Sequence, residues 1–250
     1  MTEDLSLTIC IMMYSIYITN FYGGNYMAKL VWDQISEKVY ETGADHAVLY
    51  LPNDAGVYET GVAWNGLLGF DENPSGAEAT KLWADNINYA TMYSAEEYGG
   101  TIRAYTYPDE FEACDGSVEI APGVVAGQQN RKSFGFSYRT LVGNDVKGTD
   151  YGYKLHLVYG CMCSPSSKTH DTVNDSPSAV EFSWEVTTTP VAVDGFKPTA
   201  TLEIDSTKLD TEEGKAKLAE LEEILYGSDS AEARLPLPNE IMEIFGPASV

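Results

Sequence analysis

The sequence predicts one mainly β domain with a single α-helix late in the chain and an extended C-terminal arm. Three observations carry this. Segments of strict apolar–polar alternation recur along the chain. Tyrosine and glycine are plentiful (17 and 22 of 250 residues), a balance that suits strands and turns better than helix bundles. One late stretch joins a cap, an apolar helical face and a glycine stop.

The elements follow in order. Short β-favouring runs predict strands over 46–51, 57–64, 80–83 and 101–107, and a helical turn falls near 108–113. Phe134, Phe136 and Tyr138 alternate with Ser133, Gly135, Ser137 and Arg139. Tyr151, Tyr153, Leu155, Leu157 and Tyr159 alternate with Gly152, Lys154, His156 and Val158. The turn-rich residues 142–150 between these two runs predict a long-looped β-hairpin. Val180, Phe182, Trp184 and Val186 alternate with Glu181, Ser183 and Glu185, which marks a strand with one buried face. A last strand covers 200–204.

The helix is expected over 210–226. Asp210 stands at the cap with Glu213 three residues on, in capping-box spacing. Leu218, Leu221, Ile224 and Leu225 share one face, and Gly227 ends it. Beyond it, Leu235-Pro236-Leu237-Pro238 excludes a central strand or regular helix, so 228–250 reads as an extended arm. Its apolar residues, Leu235, Leu237, Ile241, Ile244 and Phe245, need a docking surface on this subunit or a neighbour.

Charge restricts function more than any motif does. Lys and Arg total 15 against 38 Asp and Glu, a formal net charge of -23. Such a chain does not bind nucleic acid by neutralising phosphates, and it avoids anionic membranes. Cys10, Cys114, Cys161 and Cys163 make no C-x-x-C pair and read as reduced thiols. His46, His156 and His170 fall in no metal motif and read as solvated. Nucleophile elbows, phosphate loops and dinucleotide fingerprints are absent from the sequence, so no catalytic, cofactor-binding or metal-binding residue is assigned and no enzyme activity is expected. Residues 71–76 begin like a calcium loop, but Leu82 stands where the bidentate Glu belongs, so they read as a turn.

Residues 1–26 read as foreign to the domain. The apolar stretch 5–22 follows Glu3 and Asp4 rather than basic residues, which suits neither a signal peptide nor a membrane span. Gly23-Gly24 can be encoded by a purine-rich ribosome-binding sequence two codons before Met27. Met27 is therefore the expected native start, with 1–26 a translated leader or disordered extension and 27–227 the folded domain.

Five runs in order carry a resemblance. They are Gly61-Val62-Ala63-Trp64-Asn65-Gly66-Leu67; Gly99 to Ile102 with Ala104 to Phe111; Tyr151 to Gly160; Phe182 to Glu185 with Thr187 to Val191; and Leu221 to Gly227. Together they resemble the major tail protein of long, non-contractile-tailed bacteriophages and prophages of Gram-positive bacteria. The resemblance spans about 27–237. It implies a β-sandwich, barrel-forming tail-tube fold with a flanking helix. It implies hexameric rings that stack into a tube around a tape-measure protein and meet tail-end proteins. It also implies assembly in the host cytoplasm into the virion tail, with DNA passing through the lumen without specific binding. The rival reading is a monomeric β-sandwich that binds carbohydrate.

On the tube reading, Glu181 and Glu185 are candidates for the lumen wall. Arg131, Lys132 and Arg139, scarce positive charges read onto one strand, are candidates to meet a neighbour's acids. Asn144 and Asp145 at the hairpin, and Leu235, Leu237, Ile241 and Phe245 on the arm, are further candidates for subunit contact. Intact-mass measurement of the native protein is expected to give a chain beginning at Met27. A mass that includes residues 1–26 would overturn the leader reading.

Overall fold

Strands β11 (Phe134–Asn144) and β12 (Gly148–Cys163) form the central hairpin, and both of its faces are buried. Phe134, Phe136 and Tyr138 point to one side with Val158, Cys161 and Cys163. Leu155, Leu157 and Tyr159 point to the other. Gly160, at φ +60°, lies where the pairing slips between Phe134–Cys161 and Phe136–Val158. That bulge turns Cys161 and Cys163 onto the same side as Val158. The structure, a computed structural model, describes residues 30–246 except 167, 171, 173, 174 and 176–178. The expected leader lies outside the described residues.

The molecule is mainly β, as expected. Strand β1 (Val39–Pro52) pairs with β11, and β2 (Tyr58–Ala63) pairs with β1. On the far side, β13 (Phe182–Thr188) pairs with the end of β12, β8 (Gly99–Ala104) with β13, and β3 (Leu67–Glu72) with β8. Strand β14 (Thr201–Asp205) pairs with the earlier part of β12. These eight strands form one sheet that folds over on itself. Its inner face encloses an aromatic core of Trp64, Phe111, Phe134, Phe136 and Trp184. Trp64 sits 4.6 Å from Phe111 and 5.7 Å from Trp184, ring centre to ring centre. A 3₁₀ turn (Asp109–Phe111) and the short helix α1 (Glu112–Asp115) plug one end with Phe111 and Cys114.

The outer face of β1 and β12 is covered by the helix α2 (Glu212–Tyr226) and by the C-terminal segment. Leu218, Leu221 and Leu225 bury the helix's apolar face, as its spacing predicts. The cap is Thr211 rather than Asp210: its hydroxyl accepts the Gly214 N–H at 3.0 Å.

The arm is extended only in part: Ala233 to Leu237 lies beside β2, whereas Pro238–Phe245 forms a further helix, α3. Pro238 initiates it, since proline's fixed φ suits the first helical turn. Leu235 and Ile241 are buried against this subunit's own β1, β2, β12 and α2. Two glycines make the seat. A Cβ on Gly135 would lie 2.5 Å from Leu235, and one on Gly61 would lie 2.7 Å from the Ala233 side chain. Two backbone bonds, Gly61 N–H to Ala233 and Leu235 N–H to Tyr58, extend the sheet edge into the arm.

The long-looped hairpin is likewise corrected. Strands β11 and β12 stay paired to Asn144–Gly148, leaving a tight turn. Asn144 makes it, accepting the N–H groups of Val146 and Lys147. Two further hairpins project: β5 (Ala79–Ala84), expected over 80–83, pairs with β6 (Ile87–Tyr93), and β9 (Val118–Ala121) pairs with β10 (Val124–Ala126); β6, β9 and β10 are strands that the sequence reading did not predict. Two short strands, β4 (Ser75–Gly76) and β7 (Glu96–Glu97), pair at the base of the first.

Because the arm completes the second core, Leu235→Ala is expected to cost about 2–5 kcal/mol in denaturant unfolding. Deleting 235–250 is expected to destabilise the monomer itself. A truncated chain with unchanged unfolding would show the arm to be dispensable to the fold.

Candidate functional site

The two halves of the folded sheet differ on their outer faces. The half built on β1 and β12 is covered by helices, whereas among the described residues no helix covers the β13–β8–β3 half. Trp184, Val186, Ile102 and Ala104 point into the core, so their neighbours point out. Glu185 lies opposite Thr101, Ser183 opposite Arg103, and Thr101 opposite Asp71. Glu181 stands just before β13 and is exposed, as is Glu185. Arg103 spans the face to Asp71 with two bonds of 2.7 and 3.2 Å, and that carboxylate raises the guanidinium's pKa further. The result is a polar, mostly acidic strip with both expected lumen candidates on it. Asp71, read from sequence as part of a turn, is on β3 and engaged by Arg103.

The interface candidates do not assemble into one site. Arg131 and Lys132 precede β11 rather than lying on it with Arg139. Arg139 is paired within its own chain, to both oxygens of Asp45 at 2.7 and 2.8 Å, and lies 5.2 Å from the Tyr153 ring centre. Mutual attraction holds the Asp45 carboxyl below the usual range. Asn144 and Asp145 grip the chain's own N-terminal strap: Asp145 accepts the Ser36 N–H, and the Asn144 amide donates to the Ser36 carbonyl. Leu235 and Ile241 are buried at home, Phe245 packs at the edge of the same core, and Leu237 is partly exposed.

His156 is the largest departure from expectation, since it is buried rather than solvated. Its ring stacks on Tyr138, centres 4.5 Å apart and nearly parallel. Thr140 donates its one hydroxyl proton to Glu41 at 2.6 Å, so its oxygen must accept from His156 Nε2–H at 2.9 Å. The network fixes this tautomer. Nδ1 then faces Glu72 at 4.0 Å, a carboxylate that already accepts the Tyr138 hydroxyl at 2.8 Å. Lys154 joins Glu41 and Glu203 at 2.9 and 3.1 Å. The cluster ties β1, β3, β11, β12 and β14 together at one end of the inner core.

Sequence reasoning missed the projecting surfaces. The β5–β6 hairpin has its large apolar residues in solvent, with Trp83 68% and Tyr89 73% exposed. Leu82, Ile87, Met92 and Tyr93 are exposed as well. The pairs Thr80–Met92, Leu82–Ala90 and Ala84–Ile87 lie on one face, because a bulge after Leu82 shifts the register. That face is almost wholly apolar. The signal was present in the sequence: Asp85 and Asn86 both take positive φ, the two-residue turn that such dipeptides favour. The β9–β10 hairpin turns at Pro122-Gly123 and exposes Val118, Ile120, Val124 and Val125.

Among the described residues no group of metal-binding side chains converges, and no helix is long and apolar enough to cross a membrane.

No family model matches the chain, and no curated protein matches it. Among solved structures it is similar to a chain described as "Cryo-EM Structure of an Extracellular Contractile Injection System, PVC sheath-tube complex in extended state". The identity is 11% and the TM-score 0.29, over 64% of this chain and 88% of that one. A likeness of that size carries no argument about this chain's fold or assembly.

The buried histidine generates a pH prediction. Burial lowers the His156 pKa, opposed by the charges of Glu203, Glu41 and Glu72. The unfolded chain therefore takes up a proton that the folded chain resists, so stability falls as pH drops through about 6.5 and levels off below the folded value. At Glu41 burial pushes the pKa up, but bonds from Thr140 and Lys154 and nearby positive charge outweigh it, so the carboxyl is held below its usual value. A second loss follows as pH falls through that lowered value. Thermal melts across this range are expected to show both steps, with the first flattened in His156→Gln. An unchanged first step in that variant would remove His156 as its source.

Proposed function

We propose that this chain is a non-catalytic structural subunit of a tail-tube-like assembly, building rings and stacked rings from copies of itself. The observation that carries the reading is the β5–β6 hairpin. An isolated two-stranded hairpin is marginal in water, and a contiguous exposed apolar face marks an interaction site. A hairpin with one apolar face that is left in solvent among the described residues is expected to be covered by another molecule. The β9–β10 hairpin repeats the pattern. The ordered resemblance between 27 and 237 to phage major tail proteins supports the same class.

On this reading the uncovered β13–β8–β3 face, with Glu181, Glu185 and Asp71, lines the lumen. Carboxylates there repel DNA phosphates and let the genome pass without sticking. Tape-measure and tail-end proteins are the further partners, and the virion tail is the site of action.

Size-exclusion chromatography with light scattering and negative-stain electron microscopy tests the proposal. Rings or tubes are expected, and a strict monomer at every concentration and salt would overturn it. In an assembled tail, Glu181→Lys with Glu185→Lys is expected to leave the tube intact and slow DNA exit. Unchanged exit would remove these two residues from the lumen wall.

A further inference from the structure

A second apolar surface lies on the opposite layer of the molecule from the folded sheet's polar face. It is a groove of about 910 Å³ between α3 and the loop before β14. Val193, Phe196, Leu202, Ile241, Met242 and Phe245 line it. Phe196 is 69% exposed although it is a large apolar side chain. The groove is held open by bonds that do not depend on a ligand. The Asp194 N–H donates to Asn239 Oδ1 at 2.9 Å, tying the loop to α3, and Lys217 Nζ donates to the Phe245 carbonyl at 3.3 Å. No hairpin residue of the same chain reaches it.

We propose that this groove receives the apolar face of the β5–β6 hairpin, Leu82, Ile87 and Met92, from a second copy of the chain. The inference rests on the self-assembly reading above and specifies its contact.

Three features favour a second copy as the occupant. The chain carries both halves of the joint, a projecting apolar face and an apolar groove, and each is uncovered among the described residues. Charge at the hairpin's tip is also complementary: Asp85 stands at the turn beside Ile87, and the groove's rim bears Lys197 with Asp194 and Glu243, while Lys81 lies on the hairpin's other face. None of the five has an ion-pair partner among the described residues. In a chain with so few bases, one of them stands free at the groove's rim. Finally, the sizes suit repetition. A stable pairwise interface needs about 800 Å² from each partner, roughly 20–30 residues. A hairpin of this length supplies part of that, so the joint gains strength where it recurs around a ring or along a stack.

The contact is heterologous: each copy gives a hairpin and offers a groove. Such contacts close into rings or continue as filaments rather than stopping at a dimer. That property gives a test with two broken halves. Phe196→Asp spoils the groove and keeps the hairpin, and Leu82→Asp spoils the hairpin and keeps the groove. Both side chains are exposed, so each monomer should melt like the wild type. Each variant alone is expected to stay monomeric by light scattering, while an equimolar mixture doubles in mass and grows no further. A wild type that assembles while the mixture stays monomeric would overturn this docking site and leave the assembly reading standing. Unimpaired assembly of either variant alone would do the same. A wild type that never assembles would overturn both.

Discussion

The fold depends on one constraint: the β11–β12 hairpin carries aromatic rings from β11 on one face and Leu155, Leu157 and Tyr159 from β12 on the other, so both faces must be covered. A single sheet has two ways to do this, and the protein uses each once. On one side the sheet folds over and its far strands, β13, β8 and β3, supply Trp184, Ile102 and Phe70 as the lid. On the other side α2 and the C-terminal segment lie across it. The first solution leaves the lid's outer face polar and bare. The second consumes the arm. Both surfaces offered to partners follow from that division.

Burying a sheet under helices strands polar groups unless they are paired. Tyrosines solve the problem. Tyr50, fully buried on β1, donates to the Leu225 carbonyl at the end of α2 and bonds the Ser137 hydroxyl on β11. Tyr159 on β12 donates to the Pro236 carbonyl, a group in a segment that can form no ladder there. Tyr58 accepts the Gly160 N–H at the bulge. Burial pushes all three phenols further from ionisation, so they stay neutral donors and acceptors across any working pH. The high tyrosine content, read from sequence as a preference for strands, thus has a second use. Each ring fills apolar space while its hydroxyl ties a helix end or an irregular strand to the sheet.

Several misread residues share a cause. His156 and Lys154 alternate with leucines, so the pattern marks their face as solvent. Period-two alternation identifies two faces but does not say what lies over each. Hairpin pairing sets Tyr138 directly across from His156 and β1 brings Glu41 beside it, while folding the sheet over adds Glu72 from β3. The same limit applies to Leu235 and Ile241. Their apolar character called for a docking surface, but the surface is made by Gly61 and Gly135, far earlier in the chain. A glycine in a strand signals close approach without naming what approaches. The β5–β6 hairpin is different, because the Asp85–Asn86 turn was readable and was passed over.

The sequence by itself determined the periodic elements: the strands with alternating faces, the leucine-lined helix with its glycine stop, and the acidic excess that argues against binding nucleic acid. Those features are local or summed over the chain, so no partner element is needed to see them. The tertiary structure alone decided which faces meet. It sent Arg139 to Asp45, Asn144 to the N-terminal strap and the arm to its own subunit, and it left a hairpin and a groove uncovered. The joins among these link residues distant in the chain, and they are set by which strands lie side by side and by what is laid over them.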